Sequence, residues 1–401
     1  MAGMATSSQV KFCLYAWGAN SYGQLGQGHV EDLPLPQLSD TTALKARAPC
    51  SLSGGGGHSV VIADNGAVFV CGQNNKGQLG LGHTTDVYNL ELCPGLRQKI
   101  IAVSCGWDFT LVLSDNGHIL ACGSNSFGQL GVGETVRHSS SWLIVEGIKE
   151  PVVSAAAGLR HSLAVTASGF VYQWGTGLLS HTRKYFTVDT VPSHLRSKVP
   201  CLVPGLGEKV PCLVATGSAH CLYLTENGDL FMWGGNKHGQ LISSEPFVPS
   251  PISLKRCLLG GEKITNVWSG WTHTVVQTES GRVFTWGRGN YGQLGRVISA
   301  NQNSELLSHD PVTEGGYQEA CLPAEVKVLS GATQVACGSE HNLALVGSCL
   351  LSWGWNEHGM CGDGSHIDIL EPSLIPRLKP LLIGCGAGHS MAVCTATTPP
   401  K

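Results

Sequence analysis

Short apolar runs alternate with glycine-rich turns along the whole chain, and no stretch sustains the 3.6-residue periodicity of a helix. Residues 59–62, 67–70, 162–165, 170–174 and 283–286 are rich in β-branched and aromatic side chains and too short for helices, so they predict strands. Between such runs stand Asp64-Asn65-Gly66, Asp115-Asn116-Gly117, Ala167-Ser168-Gly169, Glu226-Asn227-Gly228 and Glu279-Ser280-Gly281. Their glycines supply the positive φ that a tight connection between antiparallel strands demands, so the local unit is a β-hairpin.

The hairpins recur in register. A Gly-x-x-His element opens at Gly55, Gly158, Gly217, Gly270, Gly338 and Gly386, and a variant with Phe109 in place of His opens at Gly106. Trp-Gly or Cys-Gly closes a strand at Trp17, Cys71, Cys122, Trp174, Trp233, Trp286 and Trp353, usually followed by Asn-x-x-Gly-Gln-Leu-Gly. The step from the His position to the Trp or Cys position is thirteen residues in five copies and twelve in the sixth (341 to 353), which marks one rigid supersecondary unit. Successive closing dipeptides lie 51 to 67 residues apart, enough for four antiparallel strands. The first closing strand, 12–17, has no opening before it, and the last opening, 386–389, has no closing strand after it. Pairing the two ends predicts an all-β, seven-bladed propeller closed by its N- and C-terminal strands, which leaves no open edge.

Composition narrows this further. A circular array runs as one domain, so 401 residues predict one propeller over 12–396 with tails at 1–11 and 397–401, and with insertions at 176–200 and 296–327. The 13% charged fraction and net charge of −3 give no basic field for nucleic acid. No apolar run is long enough for a bilayer, and the opening MAGMATSSQV lacks the basic and apolar regions of a signal peptide. Several of the sixteen cysteines, Cys71, Cys105, Cys122, Cys337 and Cys385, occupy repeat positions, and none forms a C-x-x-C pair, so we expect no metal and no redox motif. The expectation is a monomer of the cytosol with access to the nucleus, without a cofactor.

In this combination, Gly-x-x-His, Trp-Gly and Asn-x-x-Gly-Gln-Leu-Gly in seven copies resemble the regulator of chromosome condensation repeat family over nearly the whole chain. The resemblance implies a propeller and, from the founding member, guanine nucleotide exchange on the nuclear GTPase Ran; other members serve as ubiquitin-ligase domains, photoreceptors or interaction platforms, so fold alone does not decide activity. AWGANSYGQLG (16–26), CGWDFT (105–110), CGSNSFGQLGV (122–132), WSGWTHT (268–274) and SWGWNEHGMCGDG (352–364) are most similar to a branch of the family linked to secretion. That similarity implies a small GTPase, Ran-like, as partner and an exocyst subunit as a second one.

Repeat positions are weighed by where the copies differ. His58, His161, His220, His273, His341 and His389 each belong to their own blade, where ring nitrogens can satisfy backbone groups of that blade; they are assigned a structural role rather than a metal. Gln24, Gln78, Gln129, Gln240 and Gln293 likewise read as blade-to-blade fasteners. In the Ran exchange factor, the resemblance implies, an acid just before the repeat His acts on the nucleotide site together with a protruding wedge. The matching positions here are Gly57, Asp108, Arg160, Ala219, Thr272, Glu340 and Gly388, so Asp108 is the candidate exchange acid and Glu340 a weaker one. No wedge-like insertion precedes Asp108. Trp107 and Trp271 fall in loops and are candidate partner anchors, as are Arg183, Lys184 and Tyr185 of the first insertion. A photoreceptor would need Arg after Trp, where Asp108 and Thr272 stand; nucleosome binding lacks a basic arm. Two readings result: an exchange regulator of a small GTPase acting as an interaction platform in secretion, or a non-enzymatic scaffold that docks a vesicle-trafficking complex.

Overall fold

A computed structural model describes residues 12–45, 47–182, 185, 190–298 and 319–395. Its 28 strands form seven four-stranded antiparallel sheets. Six are built from consecutive strands. The seventh joins the ends of the chain in the order Leu33–Leu38, Phe12–Gly18, His389–Thr395, Pro380–Cys385. There Phe12 to Gly18 run opposite Thr395 to His389 without a break in register.

One blade shows why these residues fold as they do. Ile100–Cys105 lies innermost, followed outward by Phe109–Ser114, Ile119–Ser124 and His138–Ile144. The two middle strands are buried at every position because neighbouring blades cover both faces, which is why FTLVLS and ILACGS read as runs rather than alternations. Outer strands such as Val87–Leu92 are mostly exposed, with only Val87 and Leu90 buried and a register shift against the neighbouring strand. Gly117 makes the hairpin turn at φ 79°. The closing glycine Gly18 sits at φ 100°, and a Cβ there would stand 2.7 Å from the Gly388 carbonyl oxygen, so side-chain-bearing residues are excluded twice over.

The blades are joined by one recurring junction. The main-chain carbonyl of the residue after the loop glycine accepts bonds from the next blade, two at Gln24, Gln78, Gln129, Gln293 and Met360 and one, from Trp286, at Gln240. One donor is the closing residue: the indole N–H of Trp17, Trp174, Trp286 and Trp353 reaches the carbonyls of Met360, Gln129, Gln240 and Gln293 at 2.9, 2.9, 2.9 and 3.1 Å. The Cys71 and Cys122 thiols point to those of Gln24 and Gln78 at 3.5 and 3.4 Å. The other donor is the residue after the repeat His: Ser59, Thr110, Ser162, Asn342 and Ser390 reach the carbonyls of Gln24, Gln78, Gln129, Gln293 and Met360 at 2.7 to 3.0 Å. These two donors are register partners within their blade: Ser59 faces Cys71, Thr110 faces Cys122, Ser162 faces Trp174 and Asn342 faces Trp353. The constant step in sequence is the spacing that brings both to one carbonyl; the twelve-residue copy keeps the partnership with a shorter turn. The glutamine side chains each accept a loop N–H two residues back, as Gln78 does from Lys76 at 2.9 Å, and Gln293 also fastens the next blade by donating to Glu340 at 2.7 Å.

The histidines complete this junction, but not as the sequence suggests. Their Nε2 partner is a side chain of the next blade rather than backbone of their own: Thr110 for His58, Asn342 for His273, Ser390 for His341 and Ser59 for His389, at 2.7 to 3.0 Å. The hydroxyl that donates to the carbonyl is held in place by the imidazole behind it. His161 differs, because Cys221 stands where the next blade would supply the hydroxyl or amide, and no side chain pairs with its ring nitrogens.

The described part of 176–200 packs into the propeller rather than projecting from it. Leu178, Val191 and Leu195 are buried with Trp233, Tyr223 and Phe247 in the core between two blades, filling the space that the Leu of Gly-Gln-Leu-Gly fills elsewhere. Leu195 lies on one of two four-residue helices, Leu179–Thr182 and Ser193–Arg196, and Leu178 and Val191 lie just before them; such helices are too short to leave a periodic signal. Of the second insertion, residues 299–318 lie outside the described residues; the short strand Ala324–Glu325 closes its blade.

Three outcomes are expected. Trp286→Phe leaves the buried Gln240 carbonyl without its indole donor and costs about 1 to 3 kcal/mol in denaturant unfolding. Cys221→Ser supplies the hydroxyl missing beside His161 and moves the unfolding midpoint upward; a downward shift would refute the junction as described. Burial pushes His58, His161, His220, His341 and His389 down to about 3. Below their free value of about 6.5 the unfolded chain takes up protons that the folded one refuses, so stability is complete above that pH and falls toward pH 3, by about 1.4 kcal/mol per pH unit for each histidine. Urea midpoints measured from pH 7.5 down to pH 5 should fall steeply, whereas a flat profile would contradict neutral, buried rings.

Candidate functional site

The Gly-x-x-His turns and the Asn-x-x-Gly loops emerge on the same face, because the second strand of a blade begins where the third ends. At its centre the turns line a cavity of about 80 Å³ on the axis, walled by Gly55, Gly106, Gly158, Gly217, Gly338 and Gly386. A belt of backbone bonds runs around it: Gly56 N–H to the Trp107 carbonyl (2.9 Å), Ser218 to Trp271 (3.0 Å), Trp271 to Ser339 (2.9 Å), Ser339 to Ala387 (3.1 Å) and Ala387 to Gly55 (2.9 Å). Trp107 and Trp271 project from this belt and meet at the cavity, ring centroids 5.4 Å apart and tilted by 57°. Gly56 makes room, since a Cβ there would lie 2.7 Å from the Trp107 ring. Trp107 remains 40% exposed, a large apolar surface on a rigid support.

The two candidate acids, equivalent in sequence, have different surroundings. Glu340 is only 6% exposed. Its carboxylate accepts Thr272 Oγ1 at 2.7 and 2.8 Å and Gln293 Nε2 at 2.7 Å, with His273 Nδ1 at 3.8 Å and Arg288 at 3.7 Å. Burial alone would raise its pKa, but these donors hold it below the usual carboxylate value. Glu340 thus clasps two blades with both oxygens engaged. Asp108 is half-buried, beside the exposed Trp107, and its carboxylate meets Ser124 and, at 3.5 Å, Gln129 Nε2. Burial raises its pKa, opposed by Ser124, by the charges of Arg160 and Lys76, and by Gln129.

Around the centre lies a rim that the sequence reading did not single out. Arg160 stacks over Phe127 at 4.5 Å, next to Asp108. On a different sector Arg288 covers Tyr291 at 4.6 Å, Tyr291 approaches Trp355 at 6.4 Å, Trp355 meets His358 edge-on at 5.7 Å, and His358 pairs with Asp32 at 2.8 Å. Their signal was positional: Phe127, Tyr291 and His358 each precede a constant Gly, at a loop site where the copies otherwise disagree. Of the first insertion's candidates, Tyr185 is 53% exposed, while Arg183 and Lys184 lie outside the described residues. Among the described residues no three His, Cys, Asp or Glu side chains come together as metal ligands. No described helix is long and apolar enough to cross a membrane.

Comparison with known proteins agrees with this architecture. The chain is 50% identical over 386 residues to a protein of Bos taurus named secretion-regulating guanine nucleotide exchange factor, covering 95% of this chain and 83% of that one. The Mus musculus protein of the same name is 49% identical over 390 residues, with the same coverage. Among solved structures, Prp20p of Saccharomyces cerevisiae superimposes with a TM-score of 0.80 at 22% identity, covering 98% of this chain and 93% of that one, which shows the shared fold. The description "RCC1-like domain" matches residues 13–392, and with seven blades closed end to end the chain belongs to that family.

Proposed function

We propose that the protein is a guanine nucleotide exchange regulator of a small GTPase, working through the face that carries Trp107, Trp271 and Asp108. One observation supports this above the rest: on that face Asp108 is the accessible acid, standing beside an exposed tryptophan on a rigid belt. The name shared by the relatives at 49 and 50% identity points the same way.

Exchange needs no covalent chemistry. The factor must bind the nucleotide-free GTPase better than the loaded one, for example by offering a carboxylate to the P-loop lysine or by displacing Mg²⁺. Asp108 suits this role because it stays half-exposed beside its Ser124 and Gln129 partners, and the charges of Arg160 and Lys76 favour its charged form. The Trp107–Trp271 pair supplies the apolar anchor, since rigid, partly exposed tryptophans dominate protein interfaces. Glu340 positions Thr272 and Arg288 rather than meeting the partner. The GTPase is Ran-like in this reading, the setting is secretion in cytoplasm and nucleus, and the protein acts as a monomer.

The second reading is a scaffold that docks a trafficking complex such as an exocyst subunit. The exposed Tyr185, in an insertion whose Leu178, Val191 and Leu195 are core residues, favours it.

Release of labelled GDP from a panel of small GTPases, Ran included, separates the two. Asp108→Asn is expected to lower acceleration at least tenfold with the fold intact, and Trp107→Ala to weaken GTPase binding by about 2 kcal/mol, roughly thirtyfold. Glu340→Gln lowers thermal stability instead. If no GTPase responds while a trafficking subunit binds through Tyr185, the exchange reading fails and the scaffold stands.

A further inference from the structure

The seam that closes the ring holds a pair of cysteines. Cys13 in Phe12–Gly18 lies directly opposite Cys394 in His389–Thr395. No other cross-strand position among the described strands sets two cysteines face to face. The ladder determines their separation. Ser39 N–H donates to the Leu14 carbonyl at 2.8 Å, so Leu14 turns its backbone outward and Cys13 turns its own toward Cys394; Ala19 N–H to the Gly388 carbonyl, at 2.8 Å, continues the same alternation. A hydrogen-bonded antiparallel pair has its Cα atoms about 5.5 Å apart, inside the Cα span a disulfide bridges, while its Cβ atoms, also about 5.5 Å apart, must draw together, which makes the bond a strained and readily reduced one. Both side chains share a face with Tyr15, whose pKa is raised by burial first and then by both thiols. Both cysteines are free thiols.

We propose that Cys13 and Cys394 form a redox latch, a disulfide that locks the N-terminal strand to the C-terminal strand and makes the propeller a covalent ring. The oxidant is a small-molecule disulfide of the glutathione type. Cys13 is half-exposed and meets it first: its thiolate attacks one sulfur, the oxidant's S–S bond breaks, and one glutathione leaves with the electron pair and takes up a proton. Cys394, 7% exposed, then attacks the Cys13 sulfur, releasing the second glutathione. Two protein thiols and one disulfide become one protein disulfide and two thiols. Burial pushes the Cys394 thiol up and slows this second step in isolation, but its partner is held opposite by seven consecutive strand pairs. Other thiols that lie near one another, such as Cys93 and Cys122, are enclosed in the core and shielded from the oxidant.

The latch acts where the fold needs it. Every other blade is built from neighbouring strands, whereas this one is held only by pairing of segments from opposite ends of the chain. Linking them removes the large entropy the unfolded chain gains when the ends separate.

The test treats the folded, full-length chain with oxidised glutathione near pH 8, alkylates the remaining thiols and maps peptides by mass. A linked Cys13–Cys394 pair is expected, with a melting temperature several degrees higher that returns to its starting value in dithiothreitol. Cys13→Ser should lose both the link and the shift; Cys394→Ser should stop at a stable mixed disulfide on Cys13. Should either variant misfold, the wild-type map still decides. Finding Cys13 and Cys394 separately alkylated or glutathionylated, with no link between them, overturns the latch, whatever the outcome for exchange.

Discussion

Everything in this propeller hangs on a single main-chain carbonyl repeated around the ring. In the dry space between two blades, an oxygen such as that of Gln293 receives an indole N–H from Trp353 and an amide N–H from Asn342, both on the next blade. An unpaired carbonyl there would cost as much as a lost hydrogen bond, so donors must arrive from across the interface. Because both donors are partners in one ladder, the requirement fixes register within the blade and packing between blades together. Where one donor weakens to a thiol, as at Cys71 and Cys122, the hydroxyl of Ser59 or Thr110 still reaches the carbonyl at 2.7 Å.

This explains how much the sequence could reveal. The step from His to Trp or Cys was legible because it is a physical spacing, and the unmatched ends were legible because a ring has no spare half-blade. The first insertion was not, since Leu178 and Leu195 do the work of a repeat leucine from new positions, one just before a four-residue helix and one on another. The Trp107–Trp271 contact was out of reach for another reason: the two belong to different blades, and only curvature of the ring brings them together. The histidine partners were misjudged because a side chain of the next blade, not the nearest backbone, lies in front of each ring.

Equivalent positions on a repeating frame can diverge in chemistry without disturbing the frame. Glu340 and Asp108 occupy the same place in their turns. Thr272 and Gln293 converge on Glu340 from the blade before it and consume its charge, while the loops beside Asp108 present Arg160 and Lys76 at greater reach. The constant junction carries the stability, so the face above it is free to vary, and the aromatic rim from Arg288 to His358 is a product of that freedom.

The closing blade also imposes an order of events on biosynthesis. Strands Phe12–Gly18 and Leu33–Leu38 leave the ribosome long before their partner His389–Thr395. Until that partner is made, these two strands carry unpaired edges and apolar side chains with nowhere to dock, while the blades between them can pair locally as they appear. Up to that point the nascent chain is an open arc, and a ribosome that stalls before His389 releases an arc whose leading strands remain an adhesive edge.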